Sequence, residues 1–403
     1  MVTRLKGKVL MAQSGGPTAV INNSIAGVIE EAKRHKAITG IYGAINGILG
    51  VLNEEIVDLG KESPAIVKGL RRTPSAALGS CRRKLSEEDF NRILEVFRSY
   101  DIRYFFYTGG NDSMDTANKI SKLARKENYE IRVMGIPKTV DNDLVITDHC
   151  PGYGSVARFN AIAIRDAGLD TEAIYQPDTV KIYETMGRDT GWICAASVLA
   201  REKKDDAPHL IYLPERPLNL NKFLGDVQAV YARLKKVFIT VSEGLVGEEG
   251  KPLASSAAGV DVDSFGHVQY GGVADFLCNY IKAKLNLKAR FDKPGTVQRS
   301  AMDRTSPVDR EEAYLVGKMA VRQAIKGMSD CMVTLIRKKG PAYKCEPGLA
   351  KLAEIANKVK KIPAEFISPS GNDVTPEFIK YVRPLIGGPL PPYVRLKKER
   401  VYV

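Results

Sequence analysis

The stretch Pro137-Lys138-Thr139-Val140-Asp141-Asn142-Asp143 places two carboxylates and a lysine just beyond an apolar run, Ile131 to Gly135. A carboxylate at a strand end can take the proton of an attacking hydroxyl, and an ammonium beside it can neutralise a transferring phosphoryl group. A second stretch, Tyr104 to Met114, reads YFFYTGGNDSM. Its apolar run stops at Gly109-Gly110, and Asn111-Asp112-Ser113 precedes a helical pattern from Met114. Glycine lets backbone N–H groups approach an anion, and a helix start adds partial positive charge. Asp112 stands where such a loop meets a phosphate. Its carboxylate is either a metal ligand or a discriminator against one kind of phosphate donor.

The same order of strand, glycine and helix occurs twice more. Lys8 to Ala12 runs into Gly15-Gly16-Pro17 and a helix with Ile21, Ile25, Val28 and Ile29 on one face. Val180 to Thr185 runs into Met186-Gly187-Arg188, with a helix starting near Trp192. Further strand patterns lie at His209 to Leu213, Val237 to Val241 and Cys331 to Arg337; helical patterns lie at Leu85 to Ser99, Leu220 to Lys235 and Asp309 to Lys326. This alternation predicts an α/β fold of two Rossmann-like, doubly wound domains with mainly parallel sheets, whose ligands sit at the carboxyl ends of the strands. Lys68 to Lys84 carries Arg71, Arg72, Arg82, Arg83 and Lys84 among small residues; it reads as poor core material that could wrap a polyanion. Arg290 and Arg299 flank Pro294-Gly295, and from about Leu349 the tail shows helical pieces and prolines but no chemistry.

Bulk composition narrows the class. The 403 residues are 44% hydrophobic and 27% charged, an ordinary globular balance, with material for two domains. No apolar stretch reaches the ~20 residues of a membrane helix. The amino terminus reads as a first strand and not a signal peptide, so a cytoplasmic enzyme is expected. Sixty Lys and Arg against 47 Asp and Glu give +13. That excess suits a solvated lysine-rich surface or the attraction of anions. The charge is spread along the chain and no nucleic-acid module is recognisable, so small phosphates are favoured. The six cysteines form no CxxC pair and the four histidines do not cluster, which favours reduced, mostly buried thiols and no zinc site.

The motifs SGGP, GGNDS, PKTVDND, MGR, SEG and QR, in that order from Val9 to about Ile336, resemble the phosphofructokinases. The resemblance implies phosphoryl transfer to the 1-hydroxyl of fructose 6-phosphate, with Asp141 as base and Thr139 beside it at the acceptor sugar. It implies substrate contacts from Met186, Gly187, Arg188, Glu243, Arg290, Thr296 and Arg299, one of the arginines lent by a neighbouring subunit. Gly15, Arg82, Gly109 and Gly110 match donor-phosphate contacts, with the Gly15 N–H and Arg188 expected to steady the transferring charge. A homo-oligomer, dimer or tetramer, with shared active sites is implied. So are a donor domain of 1–153 plus about 296–345, an acceptor domain of 154–295, and a helical segment of 346–403.

Two positions bear on the donor. ATP-using members of the family carry a small residue where this chain has Asp112, and usually Gly where it has Lys138; the pair here is similar to the diphosphate-dependent branch. Two like charges ~4 Å apart repel by ~1–4 kcal/mol between bulk water and an effective dielectric of ~20, which weakens ATP about tenfold or more. Asn111 replaces a magnesium-associated Asp, so Mg2+ is expected on Asn111, Asp112, phosphate oxygens and water. Gly266-His267-Val268-Gln269-Tyr270 echoes a sugar-phosphate motif but lacks its guanidinium, which shifts that role to Thr296-Val297-Gln298-Arg299. The rival expectations are an ATP-dependent 6-phosphofructokinase and a non-catalytic phosphosugar-binding or nucleic-acid-binding protein.

Overall fold

The computed structural model describes residues 5–253, 272–397, 399 and 401; the motif at 266–270 lies outside the described residues. Its strands are β1 (Gly7–Gln13), β2 (Ile38–Ala44), β3 (Ile56–Asp58), β4 (Ile102–Gly109), β5 (Arg132–Pro137), β6 (Val180–Thr185), β7 (Leu210–Tyr212), β8 (Val237–Ser242), β9 (Ala289–Asp292), β10 (Cys331–Arg337) and β11 (Cys345–Lys351). One sheet has the order β11-β10-β5-β4-β1-β2-β3, and a smaller one the order β7-β8-β6-β9. All pairings in the small sheet are parallel; in the large one only the outermost pairs, β10 with β11 and β2 with β3, are antiparallel.

The apolar run in β4 explains why this sheet needs helices on both faces. Tyr104 and Phe106 pack with Val9 and Met11 on one face, while Phe105 and Tyr107 pack with Leu10 and Ala12 on the other. Side chains alternate along a strand, so a strand buried on both sides reads as continuous hydrophobicity. Each buried Phe contributes roughly 1.5–3 kcal/mol relative to exposure. The helices Ile21–Ala32 and Pro307–Ile325 cross closely because Gly27 faces the Tyr314 carbonyl and Gly317 faces the Ser24 carbonyl. A Cβ at either position would strike backbone, so alanine there would force the helices apart. This contact anchors the helix that follows the Gly15-Gly16 turn.

Three edge strands escape a sequence reading: β3, β9 and β11. β11 falls in the segment expected to be helical, yet it pairs with β10 from Cys331↔Lys351 to Arg337↔Cys345. It contains Pro347 and Gly348, which an edge strand tolerates because one side needs no ladder hydrogen bonds. β9 is likewise a short edge strand with two charged residues. Beyond β11, Ile362, Ile367, Phe378, Val382 and Leu385 bury themselves against Tyr153 and Trp192. The tail is thus built into the region between the sheets.

Other parts follow the sequence closely. β6 spans the expected Val180–Thr185, and the helix Glu87–Ser99 opens with a reciprocal capping box between Ser86 and Asp89. Ser306 caps Pro307–Ile325, with proline at its first position. The basic stretch 68–84 differs from expectation: Leu78 and Cys81 are buried, and the Leu78 N–H donates to Gln13 Oε1 at 3.0 Å. Five of the cysteines are buried and Cys345 is half-buried, all as free thiols.

Candidate active site

In the large sheet the chain leaves β1 toward β2 on one side, while β4 lies on the other. A crevice forms at the carboxyl ends of strands where the order reverses in this way. Gly15 and Gly16 follow β1, Gly110 to Asp112 follow β4, and Lys138 follows β5. The carboxyl ends of β6 and β8 bring Arg188 and Glu243 from the small sheet, and Glu243 is held beside β6 by its N–H bond to the Thr185 carbonyl at 3.0 Å.

Two adjoining clefts result. One, of about 290 Å³, is lined by Gly110, Asn111, Asp112, Lys138, Thr139, Asp141, Asp143 and, from the tail, Asn357 and Val359. The other, of about 560 Å³, is lined by Met186, Glu243, Lys293, Thr296 and Arg299. Gly15, Gly16, Arg82 and Arg188 line both. A group bound in one cleft can therefore be handed to a group bound in the other.

The helix Asn111–Lys126 begins directly after Gly110, three residues before the expected Met114, so Asn111 and Asp112 stand in its first turn and not in a loop. No side chain caps this helix, in contrast to those opened by Ser86 and Ser306. Its amino-terminal N–H groups and dipole are left for an anion in the cleft. Gly109 ends β4 and packs against Ser113, where any Cβ would clash with that side chain. Gly15 takes a left-handed φ of 76°, and a Cβ there would lie 3.0 Å from Lys138 Nζ. Its N–H donates to the Cys81 carbonyl at 3.2 Å, and its lack of a side chain leaves room beside Lys138. Of Arg71, Arg72, Arg82, Arg83 and Lys84, only Arg82 lines the clefts; Arg71 pairs with Glu311 and Arg83 with Asp89.

Lys138 is buried, and its Nζ donates to the Gly16 carbonyl at 2.8 Å. Burial, with Arg299 nearby, pulls its pKa down to about 8. Asp141 is pushed up to about 7, first by burial and then by the carboxylates of Asp143 and Glu243, with Arg188 and Lys138 opposing. Burial also raises Asp143 and Glu243. The Asp141 N–H bonds Thr139 Oγ1 at 3.1 Å, and the Asp141 carbonyl accepts from Thr190 Oγ1 at 3.1 Å, which fixes the loop around the carboxylate. Asp141 Oδ1 itself is buried without a hydrogen-bond partner, a costly state unless a substrate proton or a cation completes it. Asn111 Nδ2 donates to Asp143 Oδ2 at 3.3 Å, and Asn111 Oδ1 is likewise buried and unpartnered.

In the second cleft Gly187, at φ 125°, donates its N–H to Glu243 Oε1 at 3.2 Å. Met186 N–H reaches Gln298 Oε1 at 3.4 Å, which ties the β6 turn to the helix carrying Arg299. Arg290 does not line either cleft. It sits on the edge strand β9, more than half exposed, and pairs with Asp178 at 2.8 Å. Lys293, Asn357 and Val359 are cleft residues that sequence reasoning missed. Lys293 adjoins the Pro294-Gly295 turn, which was a usable signal; Asn357 and Val359 sit in no motif.

Comparisons with known proteins place the chain in a family. A family profile described as "Phosphofructokinase" matches residues 8–324. The chain is 44% identical over 410 residues to a protein of Xanthomonas campestris pv. campestris (strain B100) named pyrophosphate--fructose 6-phosphate 1-phosphotransferase, covering 98% of this chain and 97% of that one. It is 41% identical to a protein of the same name from Rhodospirillum rubrum, covering 98% of each. The crystal structure of a pyrophosphate-dependent phosphofructokinase from Marinobacter aquaeolei superposes with a TM-score of 0.86 at 40% identity, covering 98% of this chain and 97% of that one.

Proposed function

The chain belongs to the phosphofructokinase family, and from that premise we propose that it transfers a phosphoryl group from diphosphate to the 1-hydroxyl of fructose 6-phosphate. The products are fructose 1,6-bisphosphate and phosphate. The two phosphate donors have similar transfer potential, so the reaction runs in both directions. The observation that carries the mechanism is the pair of clefts sharing Gly15, Gly16, Arg82 and Arg188, with Asp141 in one and Glu243 and Arg299 in the other.

Diphosphate sits in the smaller cleft, against the uncapped start of the helix Asn111–Lys126, with Lys138 and Arg82 supplying positive charge. The sugar sits in the larger cleft, its 6-phosphate near Arg299 and its hydroxyls near Glu243 and Met186. Asp141 accepts the proton of the 1-hydroxyl as that oxygen attacks phosphorus, and its raised pKa suits a base working near neutrality. Lys138 and Arg188 stabilise the charge that builds on the transferring group. Asp112 stands at the wall that a longer nucleotide would have to pass.

The unpartnered Asn111 Oδ1 and the Asp112 carboxylate fit a hard cation that keeps most of its waters, so these residues would hold Mg2+. When bound, Mg2+ neutralises charge on the phosphate oxygens. The proposed domain division keeps 1–153 with 296–345 as the donor side and 154–295 as the acceptor side. In the homo-oligomer we propose, Arg290 serves a neighbouring subunit's acceptor site, which accounts for its position away from its own cleft. A cytoplasmic location belongs to the same reading.

The deciding experiment assays purified protein with fructose 6-phosphate and either diphosphate or ATP. Turnover with diphosphate is expected; activity with ATP alone would refute the donor assignment.

A further inference from the structure

The carboxyl-terminal segment, which carries no motif, reaches back to the catalytic loop. Just after Asp141 the chain turns at Asn142, which takes a left-handed φ of 54°. Asparagine takes that conformation more readily than other residues apart from glycine, and here its side chain is fixed as well. Asn142 Oδ1 accepts from the Cys150 N–H at 3.0 Å and from Lys360 Nζ at 3.4 Å, and its Nδ2 donates to the Tyr381 hydroxyl at 3.1 Å. Lys360 Nζ also donates to the carbonyls of Thr147 at 3.1 Å and Asp148 at 3.0 Å. The Lys360 N–H donates to the Asp143 carbonyl at 2.7 Å. The Tyr381 hydroxyl donates to the Asp148 carbonyl at 2.8 Å. Both ends of the loop 142–148 therefore hang on the same two residues of the tail.

Those two residues are themselves fixed. Trp192 Nε1 donates to the Lys360 carbonyl at 2.9 Å, and the Lys360 ammonium lies 5.3 Å over the Trp192 ring. The Tyr381 ring packs on the same indole, with centroids 5.5 Å apart. A cation suits the position because the loop it enters carries Asp141, Asp143 and Asp148. Asp148 is also met by Arg337 and His149, whereas Asp143 has no paired arginine among the described residues. Neither Lys360 nor Tyr381 lines the clefts, so any effect on the reaction passes through the loop they hold.

We propose that Lys360 and Tyr381 are positioning residues for the phosphoryl transfer: they clamp the loop 142–148 and thereby hold the carboxylates of Asp141 and Asp143 at the donor cleft. The inference rests on the transfer reaction proposed above. A misplacement of about 1 Å can cost about a hundredfold in rate, which sets the scale of the effect.

The test uses the full-length chain with Lys360→Met, Lys360→Arg, Tyr381→Phe and the Lys360→Met/Tyr381→Phe pair, recording kcat, both KM values and thermal melts. Lys360→Met is expected to lower kcat about 10- to 100-fold, with both KM values within about threefold of the parent. Tyr381→Phe is expected to lower kcat about threefold, and the pair to lose less than the product of the single losses, because both hold one loop. Lys360→Arg keeps the charge and its donors, and should recover most of the loss. A kcat for Lys360→Met within about twofold of the parent, at a temperature where melts show it folded, would overturn the proposal. If Lys360→Met does not fold, Tyr381→Phe decides: an unchanged kcat in that folded variant overturns it equally. If the parent turns over with ATP alone, the diphosphate reading fails, and the clamp is still judged by the same kcat ratios measured with ATP.

Discussion

Replacing Asp112 separates the two ways in which it could exclude a nucleotide. The residue is exposed in the first turn of the helix Asn111–Lys126, on the wall of the donor cleft. A nucleotide phosphate about 4 Å from its carboxylate would be repelled by ~1 kcal/mol at the dielectric of water and by ~4 kcal/mol at an effective dielectric of ~20. Exposure selects the lower end, and added salt lowers it further. Asp112→Asn removes the charge and keeps the volume, so kcat/KM for ATP should rise about fivefold, the equivalent of ~1 kcal/mol. Asp112→Gly removes the side chain as well and should bring the total gain to about tenfold or more. Glycine also weakens the helix start by up to ~1 kcal/mol, so thermal melts belong beside the kinetics. The assay is the initial rate of fructose 1,6-bisphosphate formation with ATP and with diphosphate, at two ionic strengths. The gain in the Asn variant should shrink at the higher salt. Unchanged ATP use in both variants would refute the discriminator reasoning, and a gain confined to Asp112→Gly would assign the exclusion to bulk and refute its electrostatic part.

Because the Asp141 carboxyl titrates at about 7, turnover should fall about tenfold per pH unit below that value, as the base becomes protonated. Stability runs the other way: between about pH 4 and 7 the folded state holds a proton that the unfolded state has released, so Asp141→Asn should raise Tm more at pH 8 than at pH 4. For His149, buried between Asp148 at 2.9 Å and Glu312 at 2.7 Å, burial is the largest single influence and pulls the pKa down, but Asp148, Cys345 and Glu312 together outweigh it and hold the pKa well above the ordinary value. Its stabilisation is complete below about pH 6.5 and is lost as pH rises through the folded value; Glu312→Gln should therefore lower stability by ~3–5 kcal/mol near pH 6 and by less in alkali, as read by chemical denaturation. Co-expressed Asp141→Ala and Arg290→Ala chains, each inactive alone, should regain about a quarter of parental activity if dimers form at random and Arg290 acts across the interface; no recovery would place Arg290 in its own subunit's work.

Much of the site was legible in the chain because its parts are contiguous. Lys138, Thr139, Asp141 and Asp143 lie within one loop, and the glycines after β1 and β4 mark strand ends, so local order alone points to one cleft. The helix start was harder. Gly-Gly-Asn-Asp reads as a loop by propensity, yet the structure begins the helix at Asn111 without the capping side chain that would have marked its start in the sequence. The short or irregular edge strands β3, β9 and β11 were missed for a related reason: an edge needs neither long apolar runs nor freedom from proline, so none of them leaves a periodic signal.

Residue order by itself determined the alternation of strand and helix, the make-up of the acidic loop and the glycine turns at the strand ends, since each depends on neighbours a few positions apart. Tertiary structure decided which arginines reach the clefts, that the Gly15 N–H is spent on Cys81, and that Asn357, Lys360 and Tyr381 stand around the acidic loop. Those contacts join residues separated by tens to hundreds of positions. For Asn357, Lys360 and Tyr381 it is the packing of the tail against Trp192 and Tyr153 that brings the meeting about, and no short-range pattern encodes it.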